Sequence, residues 1–191
     1  MRLAPQSTAA AEAFAALEAI SRPACLIGGL ALQRWGEPRM TQDADLTVLA
    51  PVGTEESVVD ALLQRFAARM PAARQHALDR RVLLLTASNG VSLDISLAAR
   101  PFEEEVLQRA SRWREVDKVW LVTCSAEDLV IYKLVAARAQ DLVDIAGVVQ
   151  RQGEKLDLAR IRHWGAQFAE LKEDPDLLRP FEEAVEKARL R

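Results

Sequence analysis

Asp43 and Asp45 stand two residues apart, and a third acid, Asp94, lies in the middle of another segment with strand character. In Asp43-Ala44-Asp45-Leu46-Thr47-Val48-Leu49-Ala50, the residues Ala44, Leu46, Val48 and Ala50 fall on one face of a strand and Asp43, Asp45 and Thr47 on the other. Val91-Ser92-Leu93-Asp94-Ile95-Ser96-Leu97 repeats the pattern, with Val91, Leu93, Ile95 and Leu97 inward and Ser92, Asp94 and Ser96 outward. If the two strands pair, three carboxylates meet on one polar face. Like charges that close repel and call for a cation. A hard divalent ion is the natural partner, and Mg²⁺ favours a few carboxylates plus substrate phosphates. Two such ions, about 3.5–4 Å apart, clamp the attacking and leaving oxygens of a phosphoryl or nucleotidyl transfer.

Gly28-Gly29 fits the same chemistry. It ends the short apolar run Ala24-Cys25-Leu26-Ile27, which reads as a buried strand, and precedes a helical turn or two from Leu30 to Trp35. Glycine lets backbone N–H groups approach a phosphate, and a helix start adds partial positive charge. Arg39 and Thr41 can add a cation and a hydroxyl just before the acidic strand. Each piece alone also fits a tight turn or a solvated strand end. The order and spacing of all of them point to a nucleotide held over metal ions.

Gly28-Gly29, then Arg39-x-Thr41-x-Asp43-x-Asp45-Leu46, then the isolated Asp94, resemble the polymerase-beta-type nucleotidyltransferase superfamily. The segment Ser125-Ala126-Glu127-Asp128-Leu129, followed by Lys133, Arg138, Asp141 and Asp144, resembles the abortive-infection (AbiEii-type) toxin branch and its uncharacterised relatives. Many superfamily members carry Gly-Ser where this chain has Gly28-Gly29; the AbiEii-like branch often has Gly-Gly. The resemblance spans residues 23–149. It implies a metal-dependent nucleotidyltransferase in which Asp43, Asp45 and Asp94 bind Mg²⁺ (or Mn²⁺), Asp94 also helping to deprotonate the acceptor. It further implies that Gly28 and Gly29 hold phosphates, and that Lys133 faces the nucleotide. The implied acceptor is a tRNA 3′ end or a protein side chain, with a separate antitoxin as partner; a small-molecule acceptor stays open.

The Lys133 segment reads as one helix from Glu127 to Gln150. At 100° per residue, Lys133, Ala137, Asp141 and Asp144 share one face, beside an apolar stripe of Leu134, Ile145 and Val148. Arg138 and Asp141, three apart, suit an intrahelical ion pair. Lys133 has only Ala137 at the four-residue spacing, so pairing within the helix explains it less well.

The remaining composition narrows the class. The chain has 191 residues, 50% of them hydrophobic, enough for a proper core. No apolar run approaches the ~20 residues of a membrane span, and the start shows no secretory pattern, so a cytoplasmic location is expected. Cys25 and Cys124 read as buried thiols, with no zinc spacing. Two isolated histidines, His76 and His163, give no support to a Ser/His/Asp mechanism. The net charge of -3 argues against nonspecific DNA binding. Locally, Arg109, Arg112, Arg114 and Lys118 form a basic group, as do Arg65, Arg69, Arg74, Arg80 and Arg81. These read as solvated helix faces or as a basic rim for triphosphate or an RNA end.

Along the chain, helices are expected over Thr8–Ile20, capped by Thr8, and from a Thr54 cap to Met70, ended by Pro71. A hairpin is expected from Arg81–Ala87 through Ser88-Asn89-Gly90 to Val91–Leu97. A helix opening at Pro101, a last strand over Lys118–Thr123, and helices over Glu127–Gln150, Leu158–Leu171 and Leu177–Leu190 complete the pattern. The fold class is α+β, a nucleotidyltransferase-like mixed sheet flanked by helices. Residues 1–123 form the core, and 124–191 a helical region completing the nucleotide site. The function expected is transfer of an NMP from an NTP to a hydroxyl with release of pyrophosphate. The alternatives are a non-catalytic nucleotide- or partner-binding module on the same fold, and a metal-dependent phosphatase or nuclease, which gives Gly28-Gly29 no role.

Overall fold

The computed structural model describes residues 4–189. It resolves into two compact units. The first comprises the residues up to Leu30 together with Met40–Cys124; the second comprises Ala31–Arg39 with the residues from Ser125 on.

The first unit is built on a seven-stranded mixed sheet of order β3-β4-β5-β2-β1-β7-β6. Its strands are β1 (Ala24–Leu26), β2 (Asp43–Leu49), β3 (Ala67–Ala68), β4 (Val82–Thr86), β5 (Ser92–Ala98), β6 (Ser111–Val116) and β7 (Val119–Thr123). β2 runs antiparallel to β1 and parallel to β5, with Asp45 directly opposite Asp94. β4 and β5 form the expected antiparallel hairpin, closed by Gly90 at φ +83° and by the Asn89 side chain, which accepts from the Val91 N–H at 3.1 Å. Helix α1 (Pro5–Ala19) packs its alanine-rich face with Phe14 and Leu17 onto β7, β2 and β5. The main core lies there: Leu26, Leu46, Val48, Leu93, Ile95, Leu97 and Leu121 are buried with Val58 and Leu62 of α3 (Glu55–Leu63).

Several boundaries differ from the sequence expectation. α1 starts at Pro5 rather than after Thr8, because a proline at the first helical position arrives with helical φ and needs no N–H. The helix expected from Thr54 to Met70 stops at Leu63. The Thr54 hydroxyl donates to the Pro51 carbonyl instead of capping, and residues 67–68 pair with β4 as a short strand. A helix that the sequence reading lacked, α4 (Ala73–Arg80), follows. β6 was likewise absent from it: the turn into β7 is Asp117-Lys118, both at positive φ (48° and 68°), without the glycine that usually marks such a turn. In α5 (Pro101–Arg109), Phe102 and Val106 are buried and Leu107 is half-buried.

The second unit is helical. It holds the C-terminal part of α2 (Gly28–Trp35), then α6 (Ala126–Ala136), α7 (Ala139–Gln152), a 3-10 turn at Gly153–Lys155, α8 (Leu158–Leu171) and α9 (Arg179–Arg189). The single long helix expected from Glu127 is two. The break falls at Ala137, in the left-handed region at φ +52°, with no glycine or proline to announce it. Local side chains fix both ends. The Ser125 hydroxyl accepts from the Asp128 N–H at 3.1 Å to start α6, and Asp141 reaches back to accept from the Arg138 N–H at 3.2 Å to start α7. Among the described residues, no helix is long and apolar enough to cross a membrane.

Candidate active site

The parallel register of β2 and β5 brings the three acids together. One carboxylate oxygen from each of Asp43, Asp45 and Asp94 lies within 4.8 Å of the others, and all three residues are half-buried. Alternation along both strands puts them opposite the core face, whose Ala44, Leu46, Leu93 and Ile95 are fully buried. The polar face is not wet throughout. Thr47 follows the same alternation yet is fully buried, and its hydroxyl finds no hydrogen-bond partner. α5 packs against β2, and along the strand Asp43 and Asp45 are half-buried while Leu46, Thr47 and Val48 are buried.

The glycine pair is shaped around these acids. At Gly28 (φ +58°) an added Cβ would lie 2.0 Å from Asp45 Oδ2, and at Gly29 it would lie 2.4 Å from Thr41 Oγ1. Both contacts are below any tolerable approach, so the two missing side chains are what let Asp45 and Thr41 close on the β1–α2 corner. Thr41 in turn orients an acid: its hydroxyl donates to Asp43 Oδ1 at 2.8 Å. The β1–α2 turn is tied to the acidic strand by the Ile27 N–H, which donates to the Asp45 carbonyl at 3.0 Å.

The site carries a cation that the sequence reading placed on a helix. The Arg69 guanidinium forms an ion pair with Asp94. Arg69 follows β3, and its N–H donates to the Leu84 carbonyl at 3.1 Å, which aims the side chain across β4 toward β5. Its sequence leaves open a solvated helix face or a basic rim for triphosphate or an RNA end; the break after Leu63 and the short strand β3 turn it toward Asp94. Burial pushes the Asp94 carboxyl above the usual range, against the pull of Arg69, and the neighbouring charge of Asp43 pushes the same way. Three convergent carboxylates with hard oxygen donors, one hydroxyl-oriented and one held by a single arginine, suit a divalent ion of the Mg²⁺ or Mn²⁺ kind.

The other expected site residues, Arg39 and Lys133, lie in the second unit and form one charged cluster there. Lys133 Nζ donates to Asp141 at 3.1 Å and to Asp144 at 2.6 Å. Arg39 holds Asp144 through Nε at 3.0 Å and Nη2 at 2.9 Å. Arg138 Nε donates to Asp141 at 2.8 Å. The expected Arg138–Asp141 pair therefore forms. Lys133, with only Ala137 at the four-residue spacing, finds its partners on the next helix, because the break at Ala137 folds α7 back and delivers both aspartates to the lysine. Lys133 is only 4% exposed. Burial opposes ionisation of Asp141 and Asp144, but the hydrogen bonds from their basic partners outweigh it and hold both carboxyls below the usual range.

Comparison with known proteins bears on the fold and the family. No curated protein matches the chain. Among solved structures, an antigenic nucleotidyltransferase-like protein from Paracoccidioides brasiliensis is similar at 16% identity and a TM-score of 0.55, over 93% of this chain and 92% of that one. The antibiotic-resistance factor ANT(2'')-Ia is similar at 14% identity and a TM-score of 0.58, over 88% of this chain and 97% of that one. At such identities the likeness is one of fold, and the fold is nucleotidyltransferase-like. The family model described as "Nucleotidyl transferase AbiEii toxin, Type IV TA system" matches residues 14–191. With nearly the whole chain inside that match, the protein belongs to the AbiEii nucleotidyltransferase toxin family.

Proposed function

We propose that the protein transfers an NMP from an NTP to an acceptor hydroxyl in a reaction that depends on Mg²⁺ or Mn²⁺ and releases pyrophosphate. The observation that carries this reading is the convergence of Asp43, Asp45 and Asp94 beside a glycine turn whose missing side chains make room for Asp45. Asp43, Asp45 and Asp94 would hold the divalent ions, which supply neutralisation of the triphosphate and activation of the attacking oxygen when bound. Gly28 and Gly29 present backbone at close range to the β- and γ-phosphates. Asp94 would receive the acceptor's hydroxyl proton on a carboxylate oxygen. The acceptor oxygen bonds to the α-phosphorus, the bridging bond to the β-phosphate breaks, and pyrophosphate leaves with the electron pair. Positioning and charge neutralisation do most of the work.

The family pattern assigns Lys133 to the triphosphate and Arg39 and Thr41 to supporting roles. Lys133 uses two of its three N–H donors on Asp141 and Asp144. The third donates to phosphate. For Thr41, the hydrogen bond to Asp43 makes it a positioning residue. The acceptor is proposed, from the same family pattern, to be a tRNA 3′ end or a protein side chain, with an antitoxin opposing the activity.

The test is incubation with each α-labelled NTP, Mg²⁺ or Mn²⁺, and total RNA or cell extract. Label should move to a macromolecule with release of pyrophosphate, and Asp45→Asn should abolish both. Metal-dependent NTP binding with no label moved and no pyrophosphate formed would replace this reading with a non-catalytic nucleotide-binding module.

A further inference from the structure

The first unit carries a second concave site, at the β6–β7 hairpin, that the reaction does not use. A groove of about 480 Å³ lies where α1 and its connection to β1 meet the hairpin. Phe14 contributes to its apolar wall, Trp120 is its aromatic wall, and Arg22, Arg112 and Lys118 supply cations beside one acid, Glu18. Trp120 is the feature that calls for an explanation. Its neighbour Leu121 is fully buried, while alternation along β7 turns Trp120 out, and 42% of it is exposed. A large aromatic left on the surface of a strand gives up burial that the fold would otherwise gain. The Arg112 guanidinium stands 5.4 Å from the centre of its ring, so ring and cation are presented together.

The charges are uncommitted as well. Among the described residues, Arg22, Arg112 and Lys118 make no ion pair, whereas most arginines of the chain's interior clusters are held by carboxylates. They come from three separate segments: the α1–β1 connection, the edge strand β6, and the hairpin turn. Lys118 sits in that turn at φ +68°, a conformation a lysine adopts only at a cost, which fixes its position at the mouth of the groove. Cations spread over several segments around an exposed indole match a chain of phosphates with bases between them. An acidic peptide would satisfy the cations and leave the indole without a stacking partner.

We propose that this groove binds a short run of single-stranded polynucleotide, one base stacking on Trp120 and flanking phosphates meeting Arg22, Arg112 and Lys118. The binding is separate from the carboxylate chemistry and needs no divalent ion. It gives a protein of net charge -3 a local means of holding nucleic acid without general affinity for duplex DNA.

The experiment uses the full chain carrying Asp45→Asn, in EDTA, with a fluorescein-labelled single-stranded oligoribonucleotide of mixed sequence read by anisotropy. Binding should equal that of the wild type under the same conditions. Trp120→Ala should weaken it about 5- to 100-fold, and Trp120→Phe should restore most of the loss. Arg112→Ala or Lys118→Ala should weaken it and lower the salt slope by about 1 each. Thermal melts of these exposed variants should match the parent, so a loss of binding is not a loss of fold. Equal affinity for the parent and Trp120→Ala overturns the proposal. So does a poly-glutamate peptide that competes fully and shares the Arg112 and Lys118 dependence, or a mononucleotide that binds as tightly as the oligomer. Because Asp45→Asn protein is used, a failure of nucleotidyl transfer and a failure of this binding are read separately.

Discussion

The two charged clusters of the molecule are opposite in balance. In the first unit three carboxylates converge, and Arg69 pairs with Asp94. In the second, Asp141 and Asp144 are met by Arg39, Lys133 and Arg138. The first cluster brings three like charges together and is half-buried; in the second, Asp141 and Asp144 are both matched and buried. A cluster of like charges is costly to the resting fold and useful to a bound one, since any metal that enters relieves the repulsion. A matched, buried cluster is costly to break, because removing one partner strands the others. The same residue types therefore serve opposite ends: one group stores a demand for a ligand, and the other fixes the geometry of two helix termini.

The sharpest break of this comparison is Asp45→Asn. It should lower nucleotidyl transfer on the order of 10³-fold or more, while the melting temperature in EDTA stays level or rises. A fall in melting temperature comparable to that of a core variant would mean that the acids are structural after all. The reverse pattern belongs to Lys133. Lys133→Ala should cost about 3 kcal/mol in urea unfolding, from two buried aspartates that lose a partner. The residual affinity of the folded variant for Mg·NTP, measured at low and high salt, then reports the third donor: the defect should shrink as salt rises.

Acid titration separates the clusters by sign. Asp141 and Asp144 have depressed carboxyl pKa values in the folded state. Their contribution to stability is therefore complete above the ordinary carboxylate range and is lost as pH falls through the folded values. Asp94 is shifted upward, so it opposes stability above its folded pKa and ceases to do so once protonated. Unfolding free energy measured from pH 6 down to pH 2 should fall for the wild type, and fall less steeply for Lys133→Met, whose aspartates lose the partner that depressed them. Equal slopes for the two proteins would remove Lys133 as the cause. The smallest effect is expected at Arg138. Its side chain is 77% exposed, so Arg138→Ala should cost about 0.5 kcal/mol through the Asp141 pair and leave nucleotide affinity unchanged by calorimetry.

Much of the carboxylate face could be read directly from the chain, because period-two alternation is local. Asp43, Asp45 and Asp94 announce their faces within seven residues each, and the glycine pair marks the corner that must admit Asp45. The α+β class followed from the same patterns. What local pattern could not carry was a helix break made by side chains. Ala137 adopts a left-handed conformation without being glycine, and the break is held by Asp141 and Lys133, whose contact exists only once α7 has turned back. Arg69 is the same lesson on the sheet side. Its partner is 25 residues away, and its direction depends on a two-residue strand too short to leave a periodic signature. The Asp117-Lys118 turn was missed for a related reason, since Asp117 tolerates positive φ but Lys118 is not a usual choice for it.

The division of the chain has a consequence for its synthesis. The segment Ala31–Arg39 belongs with residues that follow it by more than a hundred positions: Arg39 bonds to Asp144, the Trp35 carbonyl accepts from Gln152 at 2.6 Å, and the Gly36 carbonyl accepts from Arg151. The chain thus leaves the first unit at Leu30 and re-enters it at Met40 before any of those partners exists. At about 5–20 residues per second, a ribosome needs roughly 6–23 s to cover the 115 positions from Gly36 to Arg151. For that interval the sheet can assemble around its acids while the helix that starts at the glycine pair ends in unmet carbonyls. A nascent chain would hold the three acids of the first unit before the end of α2 has met its partners, and the second unit would be finished only from the chain's last third backward.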